Sequence, residues 1–238
     1  MTRQPAVLSA TGLFTPPYSI SNNELVAAFN QYVHQYNQTH ATEIASGSLE
    51  ALAESSSEFI VKASGIHSRF VMNKDGIVNP DIMRPQVAKR SDETLSLQAE
   101  MGVAAAQQAL DTAGVEASAI DMVLVANSNM QRAYPAMAVE IQAALGCSGF
   151  AYDMNVACSS ATFALQAAAD AIANGSASRV LIINAEICSA HLNFRERDSH
   201  FIFGDAASAM LVQRADLAGS GQGFNILGTR LWTQFSNN

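Results

Sequence analysis

Short apolar runs alternate with longer alanine-rich segments along most of this chain, and that alternation restricts it to an α/β architecture. Ala6 to Leu13, Met122 to Ala126, Phe150 to Met154, Val180 to Ala185, Ala206 to Val212 and Phe224 to Leu231 read as strands. Ser21-Asn22-Asn23-Glu24 opens a helix, with Ser21 as N-cap and Glu24 in the capping-box position. Leu25, Ala28, Phe29, Tyr32 and Val33 then fall on one face of it. A second helix passes through Phe59, Ile60 and Val61 and stops at Gly65, after which Ile66 to Met72 reads as a strand. Lys74 to Ser91 carries two prolines and a glycine and reads as a long irregular excursion. Asp92 to Ala113 is an alanine-rich helix stopped by Gly114. Pro135 stands near the start of a helix that runs to Leu145, and Ser159 to Ala173 forms another, closed by Asn174-Gly175. No low-complexity linker divides the 238 residues, so one α/β domain is expected.

Composition closes off several function classes. Hydrophobic residues make up 49% and charged residues only 14%, which excludes a disordered chain. A net charge of −8 argues against a broad electrostatic grip on nucleic acid. No apolar run reaches the roughly 18 residues of a membrane helix, and Met1-Thr2-Arg3-Gln4-Pro5 lacks the apolar stretch of a signal peptide. Cys147, Cys158 and Cys188 form no Cys-x-x-Cys pair, which fits a reduced, cytoplasmic compartment. Alanine dominates the apolar residues, so helices are expected to pack close.

The strongest chemical signal is Asp153-Met154-Asn155-Val156-Ala157-Cys158-Ser159-Ser160-Ala161-Thr162. A strand ends, the chain turns, and a cysteine stands in the first turn of a helix of small residues. Helix N-termini favour a thiolate, which is the nucleophilic form. The same pattern also fits a buried, inert cysteine.

Asn155 to Thr162 resembles the nucleophile segment of β-ketoacyl-acyl-carrier-protein synthase III, a thiolase-fold condensing enzyme. Thr11 to Pro17 resembles that family's opening strand and turn, and Ser57 to Ile66 its "EWI…TGI" segment. Ala133-Tyr134-Pro135-Ala136 is similar to its aromatic-proline pair, and Phe203 to Ala209 to its "FGDGAGA" segment. The resemblance implies a thiolase-like fold of layered αβαβα type, with residues 1–238 forming one incomplete condensing-enzyme domain. About 1–215 would be its N-terminal half and 216–238 the start of the C-terminal half.

The implied reaction is a decarboxylative Claisen condensation in fatty acid biosynthesis. Cys158 takes the acyl group of acyl-CoA, and malonyl-acyl-carrier protein then attacks the thioester. Acyl-CoA is a substrate here, and no cofactor or metal is required. The resemblance places Phe59 against the CoA adenine, where the family has tryptophan, and Arg197 on the adenine's other side. Tyr134 occupies an aromatic position that helps limit acyl length across a dimer. The stretches from about Asn30 to Ser57 and from Val71 to Thr94 are longer than in acetyl-primed members and resemble a medium-chain subgroup. A homodimer is implied, paired through Phe150 to Met154.

The family completes its site with a histidine and an asparagine that do not occur before Asn238. His34, His40, His67, His191 and His200 do not stand in the matching motif, and no catalytic role passes to them. His34 and His40 are expected to be solvated, and His191 and His200 to make local hydrogen bonds. The chain is therefore expected to be a truncation, inactive alone, with apolar surface left for a missing half and a dimer partner. The carrier-protein docking patch would lie largely beyond Asn238. A non-catalytic scaffold, and a hydroxymethylglutaryl-type or head-to-head condensing enzyme, are the alternative readings. Cys147 shows no evident chemistry and Cys188 reads as structural. Gly219 to Gly223 resembles a phosphate loop only superficially and reads as a turn between strands.

Overall fold

The computed structural model describes residues 4–91, 93–219 and 223–236. The chain folds into two compact units, one of residues 1–14, 90–186 and 207–238, the other of residues 15–89 and 187–206. The second unit is assembled from two separate stretches, so no linker composition marks it in the sequence.

The first unit is built on a six-stranded sheet. Its strands are β1 (Ala6–Phe14), β4 (Met122–Ala126), β5 (Phe150–Met154), β6 (Arg179–Ile187), β7 (Asp205–Arg214) and β8 (Phe224–Asn225), in the order β5-β4-β6-β7-β1-β8. β4 runs parallel to both β5 and β6, whereas β1 pairs antiparallel with β7. All five β4 residues are buried, as expected of a strand covered on both faces. On one face, Ala164, Ala168 and Ile172 of α6 (Ser160–Ala173) pack with Met122, Leu124, Val180 and Ile182. The other face carries α4 (Leu97–Ala113) and α5 (Met137–Leu145).

Small residues set how close these layers come. A Cβ at Gly12 of β1 would lie 1.9 Å from the Ala105 carbonyl oxygen of α4, and one at Gly102 of α4 would lie 2.7 Å from Ile141 Cδ1 of α5. Ala105, Ala106 and Ala109 are completely buried along the same helix. The close packing expected from alanine content therefore has an address: α4 lies on β1 nearly backbone to backbone.

The second unit holds α1 (Asn22–Thr39), α2 (Ala41–Ala45), α3 (Ser57–Ser64) and a two-stranded antiparallel sheet of β2 (Tyr18–Ser21) and β3 (Ser68–Val71). Its core gathers Ile20, Leu25, Phe29, Val33, Ile60, Val71, Ile77, Phe194 and Phe201. The Ser21/Glu24 capping box forms as expected, and Gly65 ends α3 in the left-handed conformation.

Four expectations need correction. α4 begins at Leu97 with Ser96 as its cap, because the Ser96 hydroxyl accepts the Ala99 N–H; Asp92 lies outside the described residues. α5 begins at Met137, two residues beyond Pro135. β8 covers only Phe224 and Asn225 of the expected strand, with Leu8 and Val7 as partners and no regular structure from Ile226 to Leu231. β2 and α2 were not expected at all. β2 has only its pairing with β3 to define it, and α2 buries no residue.

Candidate active site

Cys158 stands where β5 hands over to α6. The chain leaves β5 at Met154, makes a short 3-10 turn at Ala157–Ser159, and enters α6 at Ser160. The thiol is free and the residue exposed. No side chain caps α6; the Ser160 N–H at its head donates to the Ala157 carbonyl and the Ser159 N–H to the Val156 carbonyl, which closes the 3-10 turn.

This turn holds an unfavourable conformation. Ala157 has a φ of +48°, a left-handed geometry that costs an alanine roughly 1–2 kcal/mol. Two side chains hold it: its N–H donates to Asn155 Oδ1 at 3.0 Å, and its carbonyl accepts the Ser160 hydroxyl at 2.7 Å. The Val156 N–H donates in turn to Ser160 Oγ at 2.8 Å. Asn155 is itself anchored, its amide donating to the Ser128 carbonyl at 2.9 Å. The turn is thus wired to the end of β4.

Beyond the last β4–β6 backbone pair, side chains continue the ladder. Asn127 donates to the Ala185 carbonyl at 2.6 Å and accepts the Ala185 N–H at 2.9 Å. Glu186 Oε1 accepts both the backbone N–H and the hydroxyl of Ser128, the latter at 2.7 Å. Glu186 Oε2 is buried with no hydrogen-bond partner. None of these residues was singled out in the sequence, since 58 positions separate Ser128 from Glu186 and no motif joins them.

In the second unit Phe59 and Arg197, which the resemblance places on opposite faces of an adenine, lie directly against each other. Ser56 caps α3 by accepting the Phe59 N–H at 3.1 Å, and the Phe59 ring meets Phe201 edge-on. The Arg197 guanidinium lies over the Phe59 ring, 4.1 Å from its centroid, with Nε donating to the Glu54 carbonyl at 2.7 Å. The pairing is direct, so no planar base fits between the two groups as they stand; each stacked face needs about 3.5–4.0 Å.

A strap positions Glu54. Asn30 and Asn37 of α1 each make two-way amide contacts, Asn30 with the N–H and carbonyl of Ser55 and Asn37 with those of Leu52. The longer stretch noticed in the sequence therefore lies pinned along α1, with its Glu54 carbonyl on Arg197.

His200 is buried, stacked on Phe29 at 4.6 Å, with Nδ1 donating to the Arg197 carbonyl at 2.8 Å. Burial pushes its pKa below the usual histidine value, and the charges of Arg69 and Arg197 add to the effect. His34 is largely exposed against Glu54, and His40 pairs with Glu43.

Tyr134 is 91% exposed, in the loop before α5. Asp153, on the strand preceding the nucleophile, anchors that region by accepting the Met137 and Ala138 N–H groups at 2.8 Å each. Burial raises the Cys147 thiol to about 11, which leaves it protonated at neutral pH. Cys188 is partly buried in a 3-10 turn after β6. The centre of the glycine-rich turn, Ser220-Gly221-Gln222, lies outside the described residues. No described helix is long and apolar enough to cross a membrane.

Comparison with known proteins gives this arrangement a context. A model of the 3-oxoacyl-[acyl-carrier-protein] synthase III family matches residues 152–234, a span that opens just before Cys158. The chain is 63% identical over 211 residues to the β-ketodecanoyl-[acyl-carrier-protein] synthase of Pseudomonas aeruginosa, covering 89% of itself and 60% of that protein. It is 37% identical over 168 residues to the β-ketoacyl-[acyl-carrier-protein] synthase III of Brucella anthropi, covering 70% of itself and 46% of the relative. The chain thus spans about half to three-fifths of the length of these curated relatives. Among solved structures, the priming β-ketosynthase of the R1128 polyketide pathway aligns with a TM-score of 0.67 at 26% identity, over 92% of this chain and 52% of the other. The 3-oxoacyl-[acyl-carrier-protein] synthase III of Aquifex aeolicus aligns at 0.65 and 24% identity, over 89% and 54%. The fold is thiolase-like α/β, matching about half of such chains.

Proposed function

From a chain that belongs to the β-ketoacyl-acyl-carrier-protein synthase III family and spans part of its members' length, we propose an acyl-CoA-primed condensing activity with Cys158 as the acyl acceptor. The observation that carries this is the placement of an exposed thiol at the uncapped head of α6, on a turn held in a strained conformation.

The Cys158 thiolate attacks the thioester carbonyl of acyl-CoA, and CoA leaves as its thiolate. The exchange trades one thioester for another and so runs close to isoenergetic. Malonyl-acyl-carrier protein then loses CO2, and the resulting carbon nucleophile attacks the acyl-cysteine carbonyl. The Cys158 sulfur departs with the electron pair, and a β-ketoacyl carrier protein forms. Both attacks place negative charge on a carbonyl oxygen, and we assign the Cys158 backbone N–H to stabilise it.

The primer we assign is medium-chain. The relative from Pseudomonas aeruginosa is named for a β-ketodecanoyl product. An eight-carbon acyl-CoA gains two carbons when malonate loses CO2, which yields that length. Phe59 and Arg197 are assigned to the adenine of CoA, and Tyr134 to the limit on acyl length. We further assign a homodimer through β5, an edge strand of the sheet whose Phe150 and Tyr152 remain substantially exposed.

Product analysis tests the proposal. Octanoyl-CoA and malonyl-acyl-carrier protein should give a β-ketodecanoyl carrier protein with the full-length protein and none with its Cys158→Ala variant. Product formation that survives Cys158→Ala would overturn the assignment.

A further inference from the structure

We propose that Glu186, Ser128 and Asn155 form a positioning relay that holds Ala157 left-handed and thereby seats Cys158 at the head of α6. The inference rests on the reading of Cys158 as nucleophile and extends it to three residues that touch no reacting atom.

The relay can be followed bond by bond. Glu186 Oε1 takes both the N–H and the hydroxyl of Ser128, which fixes that residue two positions beyond the end of β4. The Ser128 carbonyl then accepts the Asn155 amide at 2.9 Å. The other end of the Asn155 amide accepts the Ala157 N–H at 3.0 Å. Because an Asn amide is rigid, fixing one end aims the other. Cys158 follows Ala157 directly, so the Ala157 backbone angles decide where Cys158 enters the turn. Ser160 secures the same residue from its carbonyl side, its single hydroxyl proton shared between the Ala157 carbonyl at 2.7 Å and the Asn127 carbonyl at 3.2 Å.

Two observations separate this from ordinary loop packing. The first is strain: an alanine at φ +48° needs outside support, and the supporting bonds converge on it. The second is the state of Glu186. Its Oε2 is buried without a hydrogen-bond partner, and among the described residues no salt bridge involves it. A carboxylate kept half-satisfied is costly for stability alone, since an unpartnered buried polar atom has lost its water without gaining a replacement bond. Its one evident service is to Ser128, and through Ser128 to the nucleophile turn.

Alkylation of the protein's own thiols by iodoacetamide, read at each cysteine by peptide mass spectrometry, tests the relay without requiring turnover. Asn155→Ala is expected to slow alkylation of Cys158 about fivefold or more, while Cys147 and Cys188 stay within about twofold. Adding Ala157→Gly should restore at least half of the loss, because glycine adopts φ > 0 without support. Glu186→Ala should also slow Cys158. Glu186→Gln keeps an acceptor for Ser128 and should react at least as fast as the parent.

An unchanged Cys158 rate in Asn155→Ala would overturn the relay. So would a loss at Cys158 accompanied by faster labelling of half-buried Cys147, which marks general loosening. Acyl transfer is read separately with octanoyl-CoA. Should transfer be absent while the alkylation pattern holds, the proposed function fails and the positioning relay stands.

Discussion

The Arg197 guanidinium rests 4.1 Å from the centroid of the Phe59 ring and is held there by the Glu54 carbonyl at 2.7 Å. If the proposed adenine site is right, a base entering between them must lift Arg197 off the ring and break the Glu54 bond, and the two partners would contribute unequally to nucleotide binding. Phe59→Ala removes a stacking face worth about 1–3 kcal/mol and should weaken CoA binding about tenfold or more. Arg197→Ala removes a cation contact and the cost of opening together, so its effect should be about threefold or less. Calorimetric titration with CoA and with 4′-phosphopantetheine, which lacks the adenine, checks this. Only the CoA affinity should move; equal changes for both ligands would remove adenine from this site.

Gly12 and Gly114 show two different reasons for glycine, and alanine separates them. At Gly12 a Cβ would strike the Ala105 carbonyl at 1.9 Å, and both backbones would have to move. Gly12→Ala should cost about 3 kcal/mol. At Gly114 nothing lies within 4 Å, but φ is +63°, so Gly114→Ala should cost only about 1 kcal/mol. Urea unfolding midpoints rank the two, and a reversed order would mean that α4 does not sit on β1 as described.

Much of this was legible beforehand, because helix ends carry local chemistry. Ser21 with Glu24, Gly65 and Gly114 each announce a boundary within a few residues of where it falls. Cys158 was legible too, as a cysteine between a strand and a helix of small residues. What stayed hidden is non-local. Glu186 reaches Ser128 across 58 positions, and Asn30 reaches Ser55 across 25. Asn and Glu at such spacings look like any polar residue until the sheet and α1 bring their partners alongside. β2 was hidden for the same reason, since four residues after a Pro-Pro break become a strand only through β3.

Glu140 provides a buried electrostatic anchor in the first unit. Its oxygens accept the Ser96 N–H and hydroxyl, and Arg132 lies 2.8 Å from Oε1, with 7% and 15% of the two charged side chains exposed. Glu140→Ala leaves Arg132 without its buried partner and should destabilise the protein by about 3 kcal/mol. The double variant Glu140→Ala/Arg132→Ala should cost less than the sum of the singles. Strict additivity in denaturant titrations would show that the two do not act as a pair.

His200 gives stability a defined pH dependence. Its folded pKa is lowered by burial, with Arg69 and Arg197 adding repulsion, so the unfolded chain binds the proton more readily. The associated stability is complete above the ordinary histidine value of about 6.5 and declines as pH falls toward the folded value. The parent should therefore lose more stability between pH 7 and pH 5.5 than His200→Leu, which cannot titrate. Parallel unfolding profiles for the two proteins would contradict this.

The central claim is that Cys158 receives the acyl group, and intact-mass and peptide analysis after incubation with octanoyl-CoA alone tests it most directly. The prediction is a single octanoyl adduct confined to the peptide carrying Cys158, absent from Cys158→Ala and absent from Cys147 and Cys188. An unmodified Cys158 at saturating octanoyl-CoA, or an adduct that persists in Cys158→Ala, would contradict it.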